Sequence, residues 1–400
     1  MASPASLESA ADPLDTSRGV PHALYRRLRA EQPISRTPNG SWFLARFADV
    51  LEATRRVDVF RSSFREPGVV VPPDEMLISE IPEPRHGQMR KIVNSAVAAH
   101  RLGRVEAVTR QITEDLFDEA LARDSVELVQ ELVMPIPTSV IAHLLGAPPE
   151  DFHLWGEWSD EVVQGDYPRL NRNVRGEGLP GAHPEFAGYI DAMLEDHRRA
   201  ADPPDDFVTR LLQTEVDGFR LNHNELRTLI AFLLISGNET TRHLLSNLLW
   251  RLATDETLLP TLQAKPELIP TAVEESLRLD SPVSLLLRVC VSDVDFNGAS
   301  IREGDTVAYG VASANRDETV FDDADSFRLD RRQPKGHVAF GGGPHVCPGA
   351  SLARLEGRIL LQVAVEKLAG IELASGTTYE KVPVFWANGP SALPARLVGR

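Results

Sequence analysis

The sequence predicts a mainly helical α+β protein with a smaller β-rich region. Apolar residues recur at helical spacing over 105–121, 207–212 and 222–252. A short apolar run at 42–46 is typical of a strand instead. No Gly/Ser linker, repeat or low-complexity tract divides the 400 residues. We therefore expect a single domain over 1–400.

The predicted elements follow in chain order. A helix over 47–57 should follow the first strand, and the proline- and valine-rich stretch 61–84 should be a long loop. A second loop is predicted over 166–185. It contains a formal GxGxxG at 176–181, but no strand precedes this stretch and a proline interrupts it, so a dinucleotide site is not supported. Loops of this length are usually functional.

Composition narrows the function classes. A formal net charge of −16 argues against nucleic acid as a partner. Residues 1–20 contain no apolar run, and the longest one, 229–235, is too short to span a bilayer. Two cysteines cannot form a disulfide framework and suggest a reducing compartment. We expect a cytoplasmic monomer with no membrane contact.

The segment 340–349, FGGGPHVCPG, contains the most informative residue, Cys347. A single thiolate flanked by glycines suits a haem iron with sulfur as its axial ligand. The glycines would let the loop lie flat, with N–H groups free to point at the sulfur. Phe340 could cover the cysteine from water. The alternative, a structural cysteine in a glycine-rich turn, leaves the surrounding pattern unexplained.

The long helix predicted over 222–252 is interrupted by SGNETT at 236–241. Asn222 and Glu225 resemble a capping box at its start. Gly237 inside the helix costs about 1 kcal/mol relative to alanine, and such a local violation marks a place where function is expected. The alternative is a solvated polar patch on a buried helix.

Together these patterns carry a family resemblance. Phe340, Gly343, His345, Cys347 and Gly349 resemble the haem-binding signature of the cytochrome P450 haem-thiolate monooxygenases. Two further family signatures lie upstream in the expected order, so the resemblance covers nearly the whole chain. It implies the cytochrome P450 fold and haem b (iron protoporphyrin IX) with an axial thiolate. It also implies insertion of one atom of O2 into a C–H bond of a small hydrophobic substrate.

The resemblance also implies residue roles in the oxygen-binding helix. Glu239 and Thr240 match the acid and the alcohol that guide protons to oxygen, and Gly237 belongs to the small residues that leave room for it. The family more often has alanine where Ser236 stands.

Further roles concern the cofactor's propionates. His86 and Arg90, one helical turn apart, match the family's His-x-x-x-Arg, and Arg288 and His345 match two further propionate partners. A surface salt-bridge role for His86 and Arg90 is the alternative.

A structural network is implied by Glu275 and Arg278, which match the family's Glu-x-x-Arg, with Arg331 as a third member. From spacing alone the first two would be an ordinary helix-surface pair worth about 0.2–0.5 kcal/mol.

The expected redox partners are proteins that supply electrons to this chain. No flavin or iron–sulfur module fits beside this fold, so a ferredoxin-type donor with its reductase is implied. Four arginines could form a basic patch for an acidic carrier: Arg101, Arg104, Arg354 and Arg358. Pocket segments implied by the resemblance are apolar and suit a terpenoid, steroid, fatty acid or aromatic substrate: 69–81, 166–185, 233–237, 283–287 and 384–386.

Two other functions were weighed. A peroxide-driven haem-thiolate peroxygenase typically has arginine at the position of Glu239, so the glutamate argues against it. A haem sensor or carrier without turnover would need the cysteine loop but not the pair Glu239 and Thr240.

Overall fold

The computed structural model describes residues 12–62, 71–99, 102–164, 184–331 and 336–400. The chain forms two compact units. The first comprises 1–62, 274–346 and 379–391, and the second 63–273, 347–378 and 392–400. The single domain expected from the sequence stays a prediction. Within the described ranges, no helix is long and apolar enough to cross a membrane.

The first unit is built around a five-stranded sheet. Its elements are α1 (His22–Glu31), β1 (Ile34–Arg36), β2 (Trp42–Leu44), α2 (Phe47–Ala53), β3 (Phe60–Ser62), β5 (Leu286–Cys290), β6 (Val294–Phe296), β7 (Ala299–Ile301), β8 (Thr306–Tyr309) and α12 (Val311–Ala314). The strand order is β1-β2-β8-β5-β3. Only the β2–β8 pair is parallel, and its register places Trp42 opposite Val307. The alternating burial of β3 indicates that the sheet covers a core on one face.

The hairpin of β6 and β7 has a local cause in the sequence. Asn297 and Gly298 connect the two strands, both with positive φ (45° and 87°). A two-residue hairpin turn of this kind requires positive φ at both positions, and Asn-Gly adopts it readily. The side chain of Asn297 also donates to Asp49 Oδ1 at 2.8 Å, which fixes the hairpin against α2.

The second unit is mainly helical. Its elements are α3 (Arg85–Ala99), α4 (Leu102–Leu121), β4 (Val126–Glu127), α5 (Pro135–Leu144), α6 (Phe152–Gln164), α7 (Pro184–Arg199), α8 (Phe207–Gln213), α9 (His223–Thr254), α10 (Leu258–Ala264), α13 (Ala350–Lys367), β9 (Leu368–Leu373) and β10 (Pro394–Gly399). The strands form a small antiparallel sheet in the order β4-β10-β9. The remaining helix, α11 (Ile269–Leu279), spans the boundary between the two units in the chain.

The longest helix, α9, has 32 residues and organises the second unit. It begins with the capping box that the sequence predicts. The Glu225 N–H donates to Asn222 Oδ1 at 3.0 Å, and the Asn222 N–H donates to Glu225 Oε2 at 2.8 Å. These bonds satisfy two N–H groups that a helix start would otherwise leave without partners. Leu226, Leu229 and Leu234 anchor α9 in the apolar core of this unit.

The predicted elements compare well with the observed ones. The strand at 42–46 and the helix at 47–57 exist with shorter bounds, as β2 and α2. The loop expected at 61–84 is wrong at its start, because β3 pairs with β5 there. The loop expected at 166–185 falls largely on residues 165–183, which lie outside the described residues. Mainly α architecture with a smaller β-rich region is confirmed.

A buried carboxyl on α13 makes the stability of the protein depend on pH. Glu356 is 1% exposed, and its Oε2 atom has no hydrogen-bond partner in the described part of the chain. Burial raises the pKa of Glu356 to about 8, from 4.5. The folded protein therefore keeps a proton that the unfolded chain releases between these two values. The free energy of unfolding should decrease as the pH rises from about 4.5 to about 8.

The variant Glu356→Gln should remove this pH dependence and stabilise the protein by a few kcal/mol at pH 8, since one pKa unit corresponds to about 1.4 kcal/mol. Urea unfolding between pH 5 and 9 measures both effects. Glu366→Gln is the matched control, because Glu366 lies on the same helix with its side chain 55% exposed. An unchanged pH slope in Glu356→Gln would contradict the assignment.

Candidate functional site

The side chain of Cys347 lies in the second unit, just before α13. Burial raises the pKa of the Cys347 thiol. A hydrogen bond from the backbone N–H of Gly349 and the positive charges of Arg90 and Arg354 oppose this increase. These three groups favour the thiolate, which is the form that binds iron.

Arg90 comes from α3, one helical turn after His86. Burial lowers the pKa of Arg90, while the attraction of the Cys347 thiolate raises it. His86 is almost fully buried, and its Nδ1 lies 2.8 Å from Glu83 Oε1. Because His86 is buried and Arg90 is partly buried, these two residues do not resemble the exposed surface salt bridge that was the alternative.

The glycines before Cys347 are required by packing within the first unit. Gly343 has a φ of +60°, and a Cβ atom there would lie 2.4 Å from the Thr54 carbonyl oxygen. A Cβ atom on Gly342 would lie 2.7 Å from Thr54 Oγ1. Only glycine therefore allows this loop to pack against the end of α2. Packing against Thr54 is thus a second reason for these glycines, besides the flat loop expected from the sequence.

Arg288 is a buried cation in β5 of the first unit. Burial lowers the pKa of its guanidinium group. It donates to the Leu287 carbonyl oxygen at 2.7 Å and lies 5.3 Å from the centre of the Tyr309 ring. Among the described residues, no carboxylate forms an ion pair with it. A buried cation of this kind needs an anion, and a propionate is one.

The middle of α9 has a half-exposed face inside an otherwise buried helix. Six residues are partly exposed and lie on one side of the helix: Phe232, Leu233, Ile235, Ser236, Gly237 and Thr240. The opposite side is buried and consists of Ala231, Leu234, Asn238 and Thr241. Ser236 and Thr240, one turn apart, lie near the centre of the first set. We call this set the open face of α9.

The two hydroxyl groups on the open face bond to their own helix. Thr240 Oγ1 donates to the Ser236 carbonyl oxygen at 2.8 Å, and Ser236 Oγ donates to the Phe232 carbonyl oxygen at 2.6 Å. Gly237 lies at the edge of this face, where a Cβ atom would be 2.8 Å from Ile141 Cδ1 of α5. The missing side chain of Gly237 therefore allows α5 to approach α9 closely.

Glu239 lies between Ile235 and Phe232 around the axis of α9, but it is buried and its carboxylate forms ion pairs with the next turn of the helix. Its carboxylate accepts a hydrogen bond from Arg242 NH2 at 2.5 Å and lies 3.1 Å from His243 Nε2. Burial would raise the pKa of Glu239, but the hydrogen bonds and charges of His243 and Arg242 outweigh it and hold the pKa below its usual value. Neither partner was predicted from the sequence, although their i+3 and i+4 spacing from Glu239 could have indicated them.

The charged network predicted from Glu275 and Arg278 is fully buried in the first unit. Arg278 donates to both carboxylate oxygens of Glu275 at 2.9 and 2.8 Å, and Arg331 Nε donates to Glu275 Oε1 at 2.7 Å. Arg278 and Glu275 are each 0% exposed. Arg278 also bonds the carbonyl oxygens of Asn315, Ala324 and Ser326. Its place in the interior excludes the alternative of a helix-surface pair.

The second unit thus brings Cys347 and Arg90 together, whereas Glu239 and Thr240 point in different directions from α9. Phe340 and His345 lie in the first unit, with Phe340 6.1 Å from the His337 ring. Arg101 and the side chain of Arg104 are outside the described residues, as are 69–70 and 166–183 of the expected pocket segments.

The surroundings of Cys347 fit a thiolate ligand, because the Gly349 N–H and the charges of Arg90 and Arg354 favour the anionic sulfur. In the first unit, the buried charge of Arg288 has no carboxylate partner among the described residues and suits an anionic group such as a propionate. In the ranges that the structure describes, no three histidine, cysteine or carboxylate side chains cluster so that they could hold a metal ion.

A protein-family model and characterised relatives both match this chain. The family model for cytochrome P450 matches residues 261–369. The chain is 33% identical to the steroid C26-monooxygenase of Mycolicibacterium smegmatis, covering 92% of this chain and 91% of that protein. It is 31% identical to the linalool 8-monooxygenase of Pseudomonas putida, covering 89% and 91%.

Solved structures of cytochrome P450 enzymes are also similar to this chain. CYP109Q5 from Chondromyces apiculatus superposes with a TM-score of 0.83 at 33% identity, over 95% of this chain and 96% of that chain. CYP109E1 from Bacillus megaterium, solved in complex with corticosterone, gives a TM-score of 0.82 at 30% identity, over 94% and 98%.

Proposed function

Because this chain belongs to the cytochrome P450 family and is a haem-thiolate monooxygenase, we propose that it oxidises a C–H bond of an isoprenoid, a terpenoid or a steroid. The family's cofactor is a haem with a cysteine thiolate as axial ligand, and its members act on hydrophobic substrates with O2.

The observation that carries this proposal is the open face of α9. Phe232, Leu233 and Ile235 contribute apolar surface there, and only Ser236 and Thr240 contribute hydroxyl groups. An apolar wall with few polar groups suits a largely hydrocarbon ligand. Relatives named for a steroid and for linalool, each at least 31% identical, favour an isoprenoid over a fatty acid or an aromatic compound.

The proposed cofactor is haem b, with the Cys347 thiolate as iron ligand. When bound, a haem-thiolate centre supplies the activation of dioxygen. Gly349 and Arg90 stabilise the sulfur as an anion. His86, Arg90, Arg288 and His345 are proposed to bind the propionates. For Arg288, burial without a carboxylate partner in the described residues supports this role.

Thr240 and Glu239 are the proposed proton-transfer residues. Thr240 Oγ1 holds its own proton on the Ser236 carbonyl oxygen, so its lone pairs can accept from a water molecule on the open face. The low pKa of Glu239 keeps that carboxylate charged beside Arg242 and His243. Because this carboxylate is engaged with Arg242 and His243, a proton passes from Glu239 toward Thr240 through water or after a change of side-chain rotamer.

Electrons are proposed to come from a ferredoxin-type protein with its reductase. Arg354 and Arg358 on α13, both half-buried, would contribute positive charge for an acidic carrier. The expectations of a cytoplasmic location and a monomeric state stay predictions, and the first of them rests on the two cysteines.

A turnover assay with isotopically labelled dioxygen tests this function. The holoenzyme is supplied with a ferredoxin, its reductase and NADPH, and with panels of terpenoids, steroids, fatty acids and aromatics. We expect isoprenoid products that contain one labelled oxygen atom, and little product with hydrogen peroxide alone. Turnover of fatty acids or aromatics but not isoprenoids would refute the substrate class. Equal turnover with peroxide alone would identify a peroxygenase.

A further inference from the structure

The open face of α9 has a polar group that proton transfer does not use, the hydroxyl of Ser236. It lies one helical turn before Thr240, about 5 Å along the helix axis. The adjoining side chains Leu233 and Ile235 are apolar, and all of these residues are partly exposed. Ser236 and Thr240 therefore lie on the same partly exposed face of the helix.

The hydrogen-bond geometry determines what Ser236 can offer to a ligand. A serine hydroxyl has one proton to donate and two lone pairs that accept. Its proton is engaged, because Oγ donates to the Phe232 carbonyl oxygen at 2.6 Å. The oxygen is thus left as an acceptor on an otherwise apolar wall, since Thr240 uses its proton in the same way.

An acceptor in apolar surroundings distinguishes ligands by their donors. A hydrocarbon or an ether placed against Ser236 would displace water and leave the lone pairs of Oγ without a donor, which is unfavourable. A ligand hydroxyl would donate to it and restore the hydrogen bond. A carbonyl group of a ligand has no proton to donate, so it would gain nothing there.

We propose that Ser236 Oγ accepts a hydrogen bond from a hydroxyl group of the substrate, so that the enzyme prefers isoprenoid alcohols to the matching hydrocarbons, ethers and ketones. This inference rests on the proposed function, because it specifies which isoprenoids bind. A single neutral hydrogen bond predicts a preference of about 3- to 10-fold in Kd.

Matched ligand pairs provide the test. Ferric holoenzyme is titrated with geraniol and geranyl methyl ether, and with a steroid alcohol and its ketone, by the haem spin-state change and by calorimetry. In the wild type, each alcohol should bind about 3- to 10-fold more tightly than its partner. Ser236→Ala should weaken alcohol binding to the level of the ether and the ketone. Binding of the ether and the ketone should not change.

One control variant locates the acceptor. Ser246→Ala removes a fully buried hydroxyl from the same helix and should keep the preference of the wild type. Retention of the preference in Ser236→Ala, or its loss in Ser246→Ala, would overturn the proposal.

The result also separates this inference from the function on which it rests. If the wild type binds and oxidises isoprenoids but treats alcohols and ethers alike, only the role of Ser236 is refuted. If no isoprenoid changes the spin state or releases heat, the proposed substrate class fails first.

Discussion

The Cys347→His variant is expected to lose all monooxygenase activity and the strongly red-shifted Soret band of the ferrous protein with carbon monoxide. That band reports a thiolate opposite carbon monoxide, and imidazole supplies no comparable electron density. The groups that favour the thiolate, Gly349 N–H, Arg90 and Arg354, would act on a neutral ring instead. Reduced-minus-oxidised spectra under carbon monoxide measure the change directly.

The second cysteine of the chain serves as the control. Cys290 is fully buried in β5, and its Sγ lies 3.0 Å from the Ser292 carbonyl oxygen. Cys290→Ala should keep both the red-shifted band and the activity. A red-shifted band that persists in Cys347→His, or disappears in Cys290→Ala, would show that Cys347 is not the iron ligand.

The sequence was most informative where a local rule has only one physical solution. Asn222 and Glu225 predicted the start of α9, because a helix start needs partners for its N–H groups and these side chains supply them at fixed spacing. The interruption around Gly237 predicted a functional stretch inside that helix. The open face of α9 lies in this stretch, and its functional role stays a prediction.

Other features depend on contacts between distant segments, which no local pattern encodes. From spacing alone, Glu275 and Arg278 would be a surface pair. In the structure the pair is buried beneath a distant segment of the chain, to which Arg278 donates hydrogen bonds at the carbonyl oxygens of Ala324 and Ser326. The glycine at 343 looked like a requirement of the cofactor, yet its nearest constraint is the backbone of Thr54, almost 290 residues away in the chain.

The direction of Glu239 is a further example. Adjacent residues on a helix point about 100° apart, so Glu239 and Thr240 cannot both lie at the centre of one face. The family resemblance assigned them as a pair, while the structure engages Glu239 with Arg242 and His243. Proton transfer between the two residues therefore requires water or a change of side-chain rotamer.

Thr240→Ala is expected to reduce the yield of hydroxylated product by about 10² to 10⁴-fold per electron pair, the usual cost of removing a group positioned for proton transfer, because the variant cannot hold the water that the Thr240 hydroxyl accepts from. Electrons should be diverted to hydrogen peroxide instead. Haem content, the carbon monoxide spectrum and substrate affinity should stay near those of the wild type, because among the described residues the side chain bonds only the Ser236 carbonyl oxygen. Simultaneous measurement of NADPH consumed, product and peroxide tests this directly.

Two variants distinguish the hydroxyl group from its position. Thr240→Ser keeps an oxygen on the open face and should restore most of the coupling. Thr241→Ala alters the next residue, which is buried on the opposite side of α9, and should have a much smaller effect on peroxide formation. Tightly coupled turnover in Thr240→Ala would refute the role of its hydroxyl. A larger effect at Thr241 would mean that the oxygen-binding side of α9 is the face that the structure buries.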